Sequence, residues 1–535
     1  MPPTTIILAR SPTTTTKTTI DPTKGVVTPY GNATGAVSSD QSVVRFAVRY
    51  ATASRWQTPQ AVTSWYMPSN SNTSYPPACP QNDLDASQYS EDCLYMILYV
   101  PAKAIVNGTS VPTFMWIHGG SFNQGSASDA GLDGSALALA TSSIVVTVQY
   151  RLGVLGWLPP SSSYSGNAGM NLGVRDVTAA LTFLNTILPS FGGTKNAITI
   201  AGQSSGAFMI RALLAAPTAA SQFKNAILQS DPMYFNFLPT AAFRTLQSSF
   251  YSSLPCTNPT STSSCSLAQI LSSQADLYNN AASIAPAAGA SESLRPSVDG
   301  SFITTSLTGS SFSSTLKPLL ITNVKDEAAP TIAYNFPYGT PSAYYEPALD
   351  ATFGDNRTEV LIASPFYGPT ALAAQTPTAD QTRSELTLLG TDATWRCPTW
   401  SWARSWAGKG GNVWAGRWMV GATYPSNTGY DLCTESGAVC HQDDIYLVFG
   451  TTPSPTSAQT AMTTEIQARY SSFMRTSSPN PTSNTLGLGT WNAATTTNVH
   501  TLQLGAGGGE QPDGACIVTF WGQQVLYDWQ IYGVN

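Results

Sequence analysis

The sequence is poor in charged residues and in histidine. Only 10% of the 535 residues are Asp, Glu, Lys or Arg, and the chain contains 3 His. The 24 basic and 30 acidic residues leave a net charge of -6, without any stripe rich in Lys and Arg. Because nucleic-acid binding depends on such basic surfaces, we expect no nucleic-acid partner. The hydrophobic fraction of 42% is too high for a disordered chain.

Long hydrophobic runs are also lacking. No apolar run approaches the ~18 residues of a spanning helix, so stable membrane insertion is not expected. The run Ile6–Ala9 is too short for the core of a signal peptide, and no apolar tail marks a lipid anchor at the other end. No internal repeat points to a solenoid or propeller. The Thr-rich residues 1–24 predict a flexible arm, followed by a single domain over residues 25–535.

Cysteine and glycosylation motifs indicate an oxidising compartment. The 8 Cys are an even number, and Ser and Thr are abundant, as in secreted proteins. Sequons for N-glycosylation occur at Asn32, Asn72, Asn107 and Asn356. We therefore expect a secreted, extracellular protein whose leader is absent from this chain.

Short apolar runs alternate with helical patterns in the first half. Buried strands are predicted at Thr113–Ile117, Ser143–Tyr150 and Ala197–Ala201, and a helix at Val174–Leu188. This alternation predicts an α/β protein with a mostly parallel central sheet and helices on both faces. Beyond Phe237 the pattern becomes helical and loop-rich, which predicts a cap over the first half.

A G-x-S-x-G sequence, Gly202-Gln-Ser-Ser-Gly206, follows the third predicted strand and precedes the helical run Ala207–Ala216. A tight strand-to-helix turn of this kind holds the central serine in an unusual backbone conformation, and the flanking glycines remove Cβ atoms that would collide. The motif thus predicts that Ser204 is a nucleophile at the carboxyl edge of the sheet. An ordinary Gly-Ser turn is the alternative.

A serine nucleophile needs a base, and histidine suits neutral pH best. His118 lies in Trp116–Phe122, a segment typical of an oxyanion-hole loop after a strand. His500 has no supporting motif and is interpreted as a surface residue. His441 remains as the candidate base.

The chain resembles the type-B carboxylesterase/lipase family, which contains cholinesterases and fungal lipases. The resemblance runs from about Val26 to Trp521 and depends on several blocks in order: Glu91-Asp-Cys-Leu94, His118-Gly-Gly120, Tyr150-Arg-Leu-Gly153, Phe191-Gly-Gly193, the Gly202–Gly206 motif, Pro296-Ser-Val-Asp-Gly300, Lys325-Asp-Glu327 and His441 with Tyr446–Gly450. The resemblance implies an α/β-hydrolase fold with a helical and loop-rich cap.

The same resemblance implies the roles of the catalytic residues. Ser204 would be the nucleophile, Glu327 the acid and His441 the base, in the chain order of an α/β-hydrolase. Asp326 is the alternative acid, but the family uses the second residue of the pair. The oxyanion would be bound by the N–H groups of Gly120, Ser121 and Ser205, and Ser230 would support the acid–histidine pair. No metal or organic cofactor is implied.

For the cysteines, the resemblance implies the bridges Cys79–Cys93, Cys256–Cys265 and Cys397–Cys516, which leaves Cys433–Cys440. A zinc site is the competing interpretation, although paired C-x₂-C units are lacking. The resemblance also implies the internal ion pairs Arg151–Asp176 and Arg55–Glu91. The tryptophans at 395, 400, 402 and 406 are interpreted mainly as core, with a substrate pocket as the alternative.

Together these features predict a secreted serine hydrolase that cleaves small-molecule carboxylic esters through an acyl-enzyme. The segment between Cys79 and Cys93 is short and polar, unlike an amphipathic lipase lid, which favours soluble or micellar esters. Gln203 replaces the Glu that usually precedes the nucleophile, which weakens a cholinesterase interpretation. An interfacial triacylglycerol lipase is one alternative, and a non-catalytic adhesion or binding module is another. The oligomeric state is not predicted.

Overall fold

The computed structural model describes residues 25–67, 75–107, 110–161, 169–289, 291–307, 316–375, 380–505 and 507–521. The predicted arm over residues 1–24 and the sequon at Asn72 lie outside these ranges, as does the side chain of Asn107. Asn32 and Asn356 are exposed, so both are accessible to modification; their occupancy stays a prediction.

The strands form one large sheet and two small hairpin-like pairs within the described residues. In chain order the strands are β1 Val26–Thr28, β2 Gly31–Ala33, β3 Ala36–Val37, β4 Val43–Arg49, β5 Ala51–Thr52, β6 Gln60–Ala61, β7 Tyr95–Pro101, β8 Val111–Ile117, β9 Ile144–Val148, β10 Gly193–Gln203, β11 Asn225–Gln229, β12 Leu319–Val324, β13 Val413–Trp418 and β14 Leu502–Leu504.

The helices lie between and after these strands. They are α1 Ala102–Asn107, α2 Ser135–Thr141, α3 Gly153–Trp157, α4 Leu172–Ile187, α5 Ser205–Leu214, α6 Pro217–Ala220, α7 Thr240–Ser253, α8 Leu267–Ile284, α9 Ala329–Asn335, α10 Tyr345–Phe353, α11 Asp355–Ile362, α12 Pro369–Gln375, α13 Gln381–Thr391, α14 Cys397–Gly408, α15 Asp431–Thr434, α16 Ile445–Phe449 and α17 Ser457–Thr476.

The large sheet has ten strands in the order β14-β13-β12-β11-β10-β8-β9-β7-β4-β3. From β9 to β14 the neighbours are parallel, with Ile200 of β10 paired to Met115 and Ala226 on either side. The strands β7, β4 and β3 form an antiparallel edge. Every residue of β9, β11, β12 and β13 is buried, as expected for a parallel sheet covered on both faces. The predicted fold class is therefore confirmed.

The second half of the chain differs from the expectation of a helical and loop-rich cap. It contains many helices, but it also adds β12, β13 and β14 to the central sheet. The strands β12 and β13 are short and buried on both faces, so they lack the alternating pattern that marks a half-buried strand. A short apolar run of this kind cannot be distinguished from a buried helix segment by periodicity alone.

Buried ion pairs and disulfides fix the body of the fold. Arg151 binds Asp176 at 2.6 Å, and Arg55 pairs with Glu91, as the resemblance implies. The bridges are Cys79–Cys93, Cys256–Cys265, Cys397–Cys516 and Cys433–Cys440, the same four pairs as in the sequence analysis. Trp400, Trp402 and Trp406 are buried in the core. No helix in the described ranges has the length and apolarity needed to span a membrane.

Candidate active site

Ser204 lies at a sharp turn between β10 and α5. Its backbone has φ 56° and ψ -127°, a conformation that L-residues rarely adopt. The turn is held where the Ser204 N–H donates to Gln229 O of β11 at 2.9 Å. Only 7% of Ser204 is exposed. The structure thus has the strand, strained serine and helix that the G-x-S-x-G motif predicts.

The two glycines of this motif are required by contacts with the backbone. A Cβ atom on Gly206 would lie 2.1 Å from Ile117 O at the end of β8. A Cβ on Gly202 would lie 2.6 Å from the carbonyl of Gly206 itself. Both distances are far below a normal contact, so α5 can approach the sheet this closely only with glycine at these positions.

Glu327 and His441 form the other part of the site. Glu327 follows β12, and its Oε2 lies 2.6 Å from His441 Nδ1. Its Oε1 accepts a hydrogen bond from the Val324 N–H at 2.8 Å, and its side chain is fully buried. Asp326 points elsewhere, because its Oδ2 accepts from the Val439 N–H at 3.0 Å. Of the two neighbouring carboxylates, Glu327 is the one that contacts the imidazole.

The free side of the imidazole faces Gln203, a contact that the sequence analysis missed. His441 Nε2 lies 3.1 Å from Gln203 Nε2. With Nδ1 donating to Glu327, the neutral ring offers Nε2 as acceptor for this amide N–H. Within the described residues, no hydrogen bond joins His441 to the Ser204 hydroxyl. The imidazole ring therefore lies against Gln203, the residue directly before the predicted nucleophile. In the sequence, the only signal for this contact is that Gln203 replaces the Glu that is usual at this position.

The electrostatic surroundings favour the charged form of the imidazole. Burial opposes the charge of His441, but the hydrogen bond and the negative charge of Glu327 outweigh it, so the pKa of His441 is raised. Asp444 adds to this attraction. The ring of Trp395 packs beside the imidazole, with centroids 5.5 Å apart. Trp395 lies in a π-helical turn, Asp392–Arg396, between α13 and α14, a feature often found near functional sites.

The loop after β8 carries the predicted oxyanion donors. Gly120, Ser121 and Phe122 all have positive φ, at 110°, 51° and 60°. The loop is connected to the Ser204 turn by a hydrogen bond, because the Phe122 N–H donates to Ser205 Oγ at 3.2 Å. In the described part of the chain, the N–H groups of Gly120, Ser121 and Ser205 donate to no backbone carbonyl outside their own elements. Amides with these properties are available to bind an anion.

The remaining histidines have separate environments. His118 is buried, its Nδ1 lies 2.8 Å from Gly119 O, and its ring stacks on Tyr150 with centroids 4.5 Å apart. Burial lowers the pKa of His118 to about 4, so the ring is neutral at physiological pH. His500 contacts Glu510 at 3.0 Å near the surface.

Among the described residues, Ser230 makes no hydrogen bond to the pair that it is predicted to support. It is fully buried with φ 50°, and its hydroxyl has no hydrogen-bond partner among the described residues. Its supporting role stays a prediction. A second buried contact lies close by, where Gln229 donates to Asp444 at 2.5 Å. Burial raises the pKa of Asp444 to about 7.

Within the described ranges, one group of potential metal ligands occurs, Asp392 with Cys397 and Cys516. The two cysteines are bonded to each other, and the carboxylate is bound by Arg396 and Tyr367. A disulfide cannot supply thiolate ligands, so this group fits an ion-paired core and not a metal centre.

The strained serine between strand and helix, on a mostly parallel sheet, is the defining feature of an α/β-hydrolase. A family model described as the carboxylesterase family matches residues 22–514, and the chain belongs to that family.

Individual relatives agree with this assignment. The chain is 35% identical over 201 residues to carboxylesterase 1D of Rattus norvegicus, an alignment that covers 35% of this chain and 34% of the relative. It is 41% identical over 165 residues to para-nitrobenzyl esterase of Bacillus subtilis (strain 168), covering 30% and 33%. These alignments thus span about a third of the curated relatives. A solved structure titled PNB esterase matches with a TM-score of 0.67 and 25% identity over 90% of this chain and 95% of that chain.

Proposed function

We propose that this protein hydrolyses carboxylic esters, with Ser204 as nucleophile, His441 as base and Glu327 as the acid that orients the base. The observation that carries the proposal is the 2.6 Å contact between Glu327 and His441 Nδ1, which leaves Nε2 free to face Gln203, the residue directly before Ser204. Membership of the carboxylesterase family supports the same reaction.

The reaction begins when the Ser204 oxygen attacks the ester carbonyl and its proton passes to His441 Nε2. The N–H groups of Gly120, Ser121 and Ser205 bind the oxyanion, each contributing about 3–4 kcal/mol to the barrier reduction. The imidazolium then gives its proton to the departing alkoxide, which leaves an acyl group on Ser204. Water, deprotonated by the same imidazole, releases the acid and restores the serine.

Before this step, His441 Nε2 must leave the amide of Gln203 and reach the adjacent hydroxyl. The two donors, the Gln203 amide and the Ser204 hydroxyl, belong to consecutive residues of the chain. Catalytic hydrogen bonds of free hydrolases often tighten only when substrate is bound.

We infer a preference for soluble or micellar esters from the segment between Cys79 and Cys93. Its polar side chains are used to attach it to the body. Gln81 donates to Gly125 O and accepts from the Gly125 N–H, at 3.0 and 2.9 Å, and Asn82 donates to Leu271 O at 2.9 Å. A segment fixed in this way offers little apolar surface to an oil interface. A rate increase above the solubility limit of a triglyceride would favour the lipase alternative instead.

Four disulfides and the exposed sequons at Asn32 and Asn356 support passage through the secretory pathway. We propose that the protein is extracellular and that residues 25–535 act as a single domain.

Replacement of Ser204 tests the reaction directly. We expect Ser204→Ala to lower kcat for 4-nitrophenyl butyrate by about 10³-fold or more, with an unchanged circular dichroism spectrum. Ser252→Ala, on the exposed face of α7, is the control and should retain full activity. An organophosphonate probe should label Ser204 in the unaltered protein. Full activity of Ser204→Ala would point to another nucleophile, and absence of the label would favour a non-catalytic binding module.

A further inference from the structure

Glu292 is a buried carboxyl group that the reaction above does not use. Only 7% of the residue is exposed, and it lies in the positive-φ region at 52°. Its Oε2 is fully buried and has no hydrogen-bond partner among the described residues. A buried polar atom without a partner costs free energy, so its presence in a native fold requires an explanation.

No cation neutralises this carboxyl group in the described part of the chain. The nearby Arg295 directs its N–H groups at backbone carbonyls: Nε donates to Asn236 O, and Nη1 to the carbonyl oxygens of Ala288 and of Glu292 itself. The attraction of Arg295 therefore acts only at a distance. Burial is the main influence and raises the pKa of Glu292 to about 7.

The carboxyl group borders the candidate active site. The side chain of Ser121, which carries one of the proposed oxyanion N–H groups, lies close enough to lower the pKa of Glu292 against the effect of burial. Charge interactions connect Glu292 with His441, with Asp231 and with the hydroxyls of Tyr150 and Tyr278. An ester bound at the oxyanion loop would thus place the atoms near its carbonyl next to this group.

We propose that Glu292 is a specificity-determining residue, whose free carboxyl oxygen accepts a hydrogen bond from a donor group, such as a hydroxyl, on the substrate close to the ester carbonyl. The proposal rests on the proposed ester hydrolysis at Ser204. A site with a buried polar group rejects a substrate that leaves this group unpaired, so the donor-bearing ester is favoured over its apolar analogue. In the protein without substrate, the unpaired carboxyl oxygen lowers the stability of the fold, and this loss accompanies the selectivity.

The test compares esters of equal shape. 4-Nitrophenyl 3-hydroxybutyrate and 4-nitrophenyl 3-methylbutyrate differ only in a hydroxyl against a methyl group on the acyl side. 2-Hydroxyethyl butyrate and propyl butyrate make the same comparison on the alcohol side. We expect kcat/KM to favour the hydroxylated member of one pair by about tenfold or more. The pair that shows the preference identifies the side of the ester that faces Glu292.

Two variants assign the preference to the carboxyl group. Glu292→Leu should abolish or reverse it, and Glu292→Gln, which keeps an acceptor oxygen, should retain part of it. Glu346→Gln, at an exposed position of α10, is the matched control and should leave every ratio unchanged. A residue that acted only by holding Ser121 in place would change the rates of all four esters together and leave the ratios constant.

Each outcome decides the question. If the unaltered protein favours neither hydroxylated ester, or if Glu292→Leu retains the ratio, the role of Glu292 is overturned while ester hydrolysis stands. If the unaltered protein cleaves none of the esters and Ser204 resists the phosphonate probe, the proposed function fails and the specificity role fails with it.

Discussion

The amide of Gln203 is the group that faces the proton-accepting nitrogen of the proposed base. It is fully buried and lies 3.1 Å from His441 Nε2. A neutral amide stabilises the uncharged imidazole by donating to it, whereas a carboxylate at the same place would stabilise the imidazolium. Residue 203 therefore influences the pH range in which His441, the proposed base, is uncharged.

Gln203→Glu should shift the acid limb of activity to higher pH. The base must be neutral to accept the serine proton, so kcat/KM falls as the pH drops through the pKa of His441, which is already raised by Glu327. A carboxylate at 203 should raise that pKa by about 1 unit or more. The measurement is the pH dependence of kcat/KM for 4-nitrophenyl butyrate between pH 5 and 9.

Gln203→Met, of similar size but with neither charge nor amide donor, is the control and should move the limb upward by less than Gln203→Glu does. An unshifted or lowered limb in Gln203→Glu would show that residue 203 has no electrostatic contact with the base.

At the residue scale, the sequence predicts groups whose type is scarce better than groups whose type is common. With 3 His in the chain, His441 is identified by elimination, and the structure pairs it with Glu327. Glu292 has no local motif, because its importance arises from burial and from a missing partner. Neither property is encoded by neighbours in the sequence.

At the scale of elements, the turn between β10 and α5 depends on how closely the helix approaches β8. The strand and helix themselves are predictable from the run Ala197–Ala201 and the motif after it, and the structure extends the strand to Gly193–Gln203. The strands β12 to β14 are not predictable in the same way, because their pairing partners are distant in the chain, and because β12 and β13 are buried on both faces while β14 has only three residues.

Gly206→Ala should disrupt this close approach. The added Cβ would meet Ile117 O at 2.1 Å, so α5 must move away from β8 and carry the Ser204 turn with it. We expect a destabilisation of about 1–3 kcal/mol or more from overpacking, and a large loss of activity. Urea unfolding and the kcat for 4-nitrophenyl butyrate measure the two effects.

Gly429→Ala is the control, since no atom lies within 4 Å of the Cβ that it adds. If Gly206→Ala and Gly429→Ala were equally stable and equally active, the turn between β10 and α5 would tolerate a side chain at position 206.

At the scale of the whole molecule, the disulfides close loops of very different length. Cys397–Cys516 spans 119 residues and connects α14 to the end of the described chain, whereas Cys256–Cys265 spans 9. Longer loops restrict the unfolded chain more strongly. In the chain-entropy account, the two bridges contribute about 5 and about 2.5 kcal/mol respectively.

The double variant Cys397→Ala/Cys516→Ala should therefore lose more stability than Cys256→Ala/Cys265→Ala. Guanidinium unfolding under non-reducing conditions gives both values. If the short loop were the larger contributor, native-state contacts and not loop closure would determine the stabilisation.

The buried carboxyl groups near the candidate active site should also make the stability of the protein depend on pH. Burial raises the pKa values of Glu292 and Asp444 to about 7 and that of Asp443 to about 6. The same groups in the unfolded chain have released their protons by pH 6. The folded state thus binds more protons between pH 6 and 8, and linkage requires that the free energy of unfolding rises as the pH is lowered across this window.

His441, with its raised pKa, acts in the same direction, because its stabilising contact with Glu327 is strongest below that pKa. His118 acts in the opposite direction, because the unfolded imidazole becomes charged as the pH falls through about 6.5 whereas the buried one stays neutral down to about pH 4, so it offsets part of the effect. We therefore expect the unfolding free energy in urea to be higher at pH 6 than at pH 8 by on the order of 2 kcal/mol. Asp444→Asn keeps an acceptor for Gln229 but cannot titrate, so it should reduce the difference. A protein equally stable at both pH values would mean that these carboxyl groups are already ionised in the folded state.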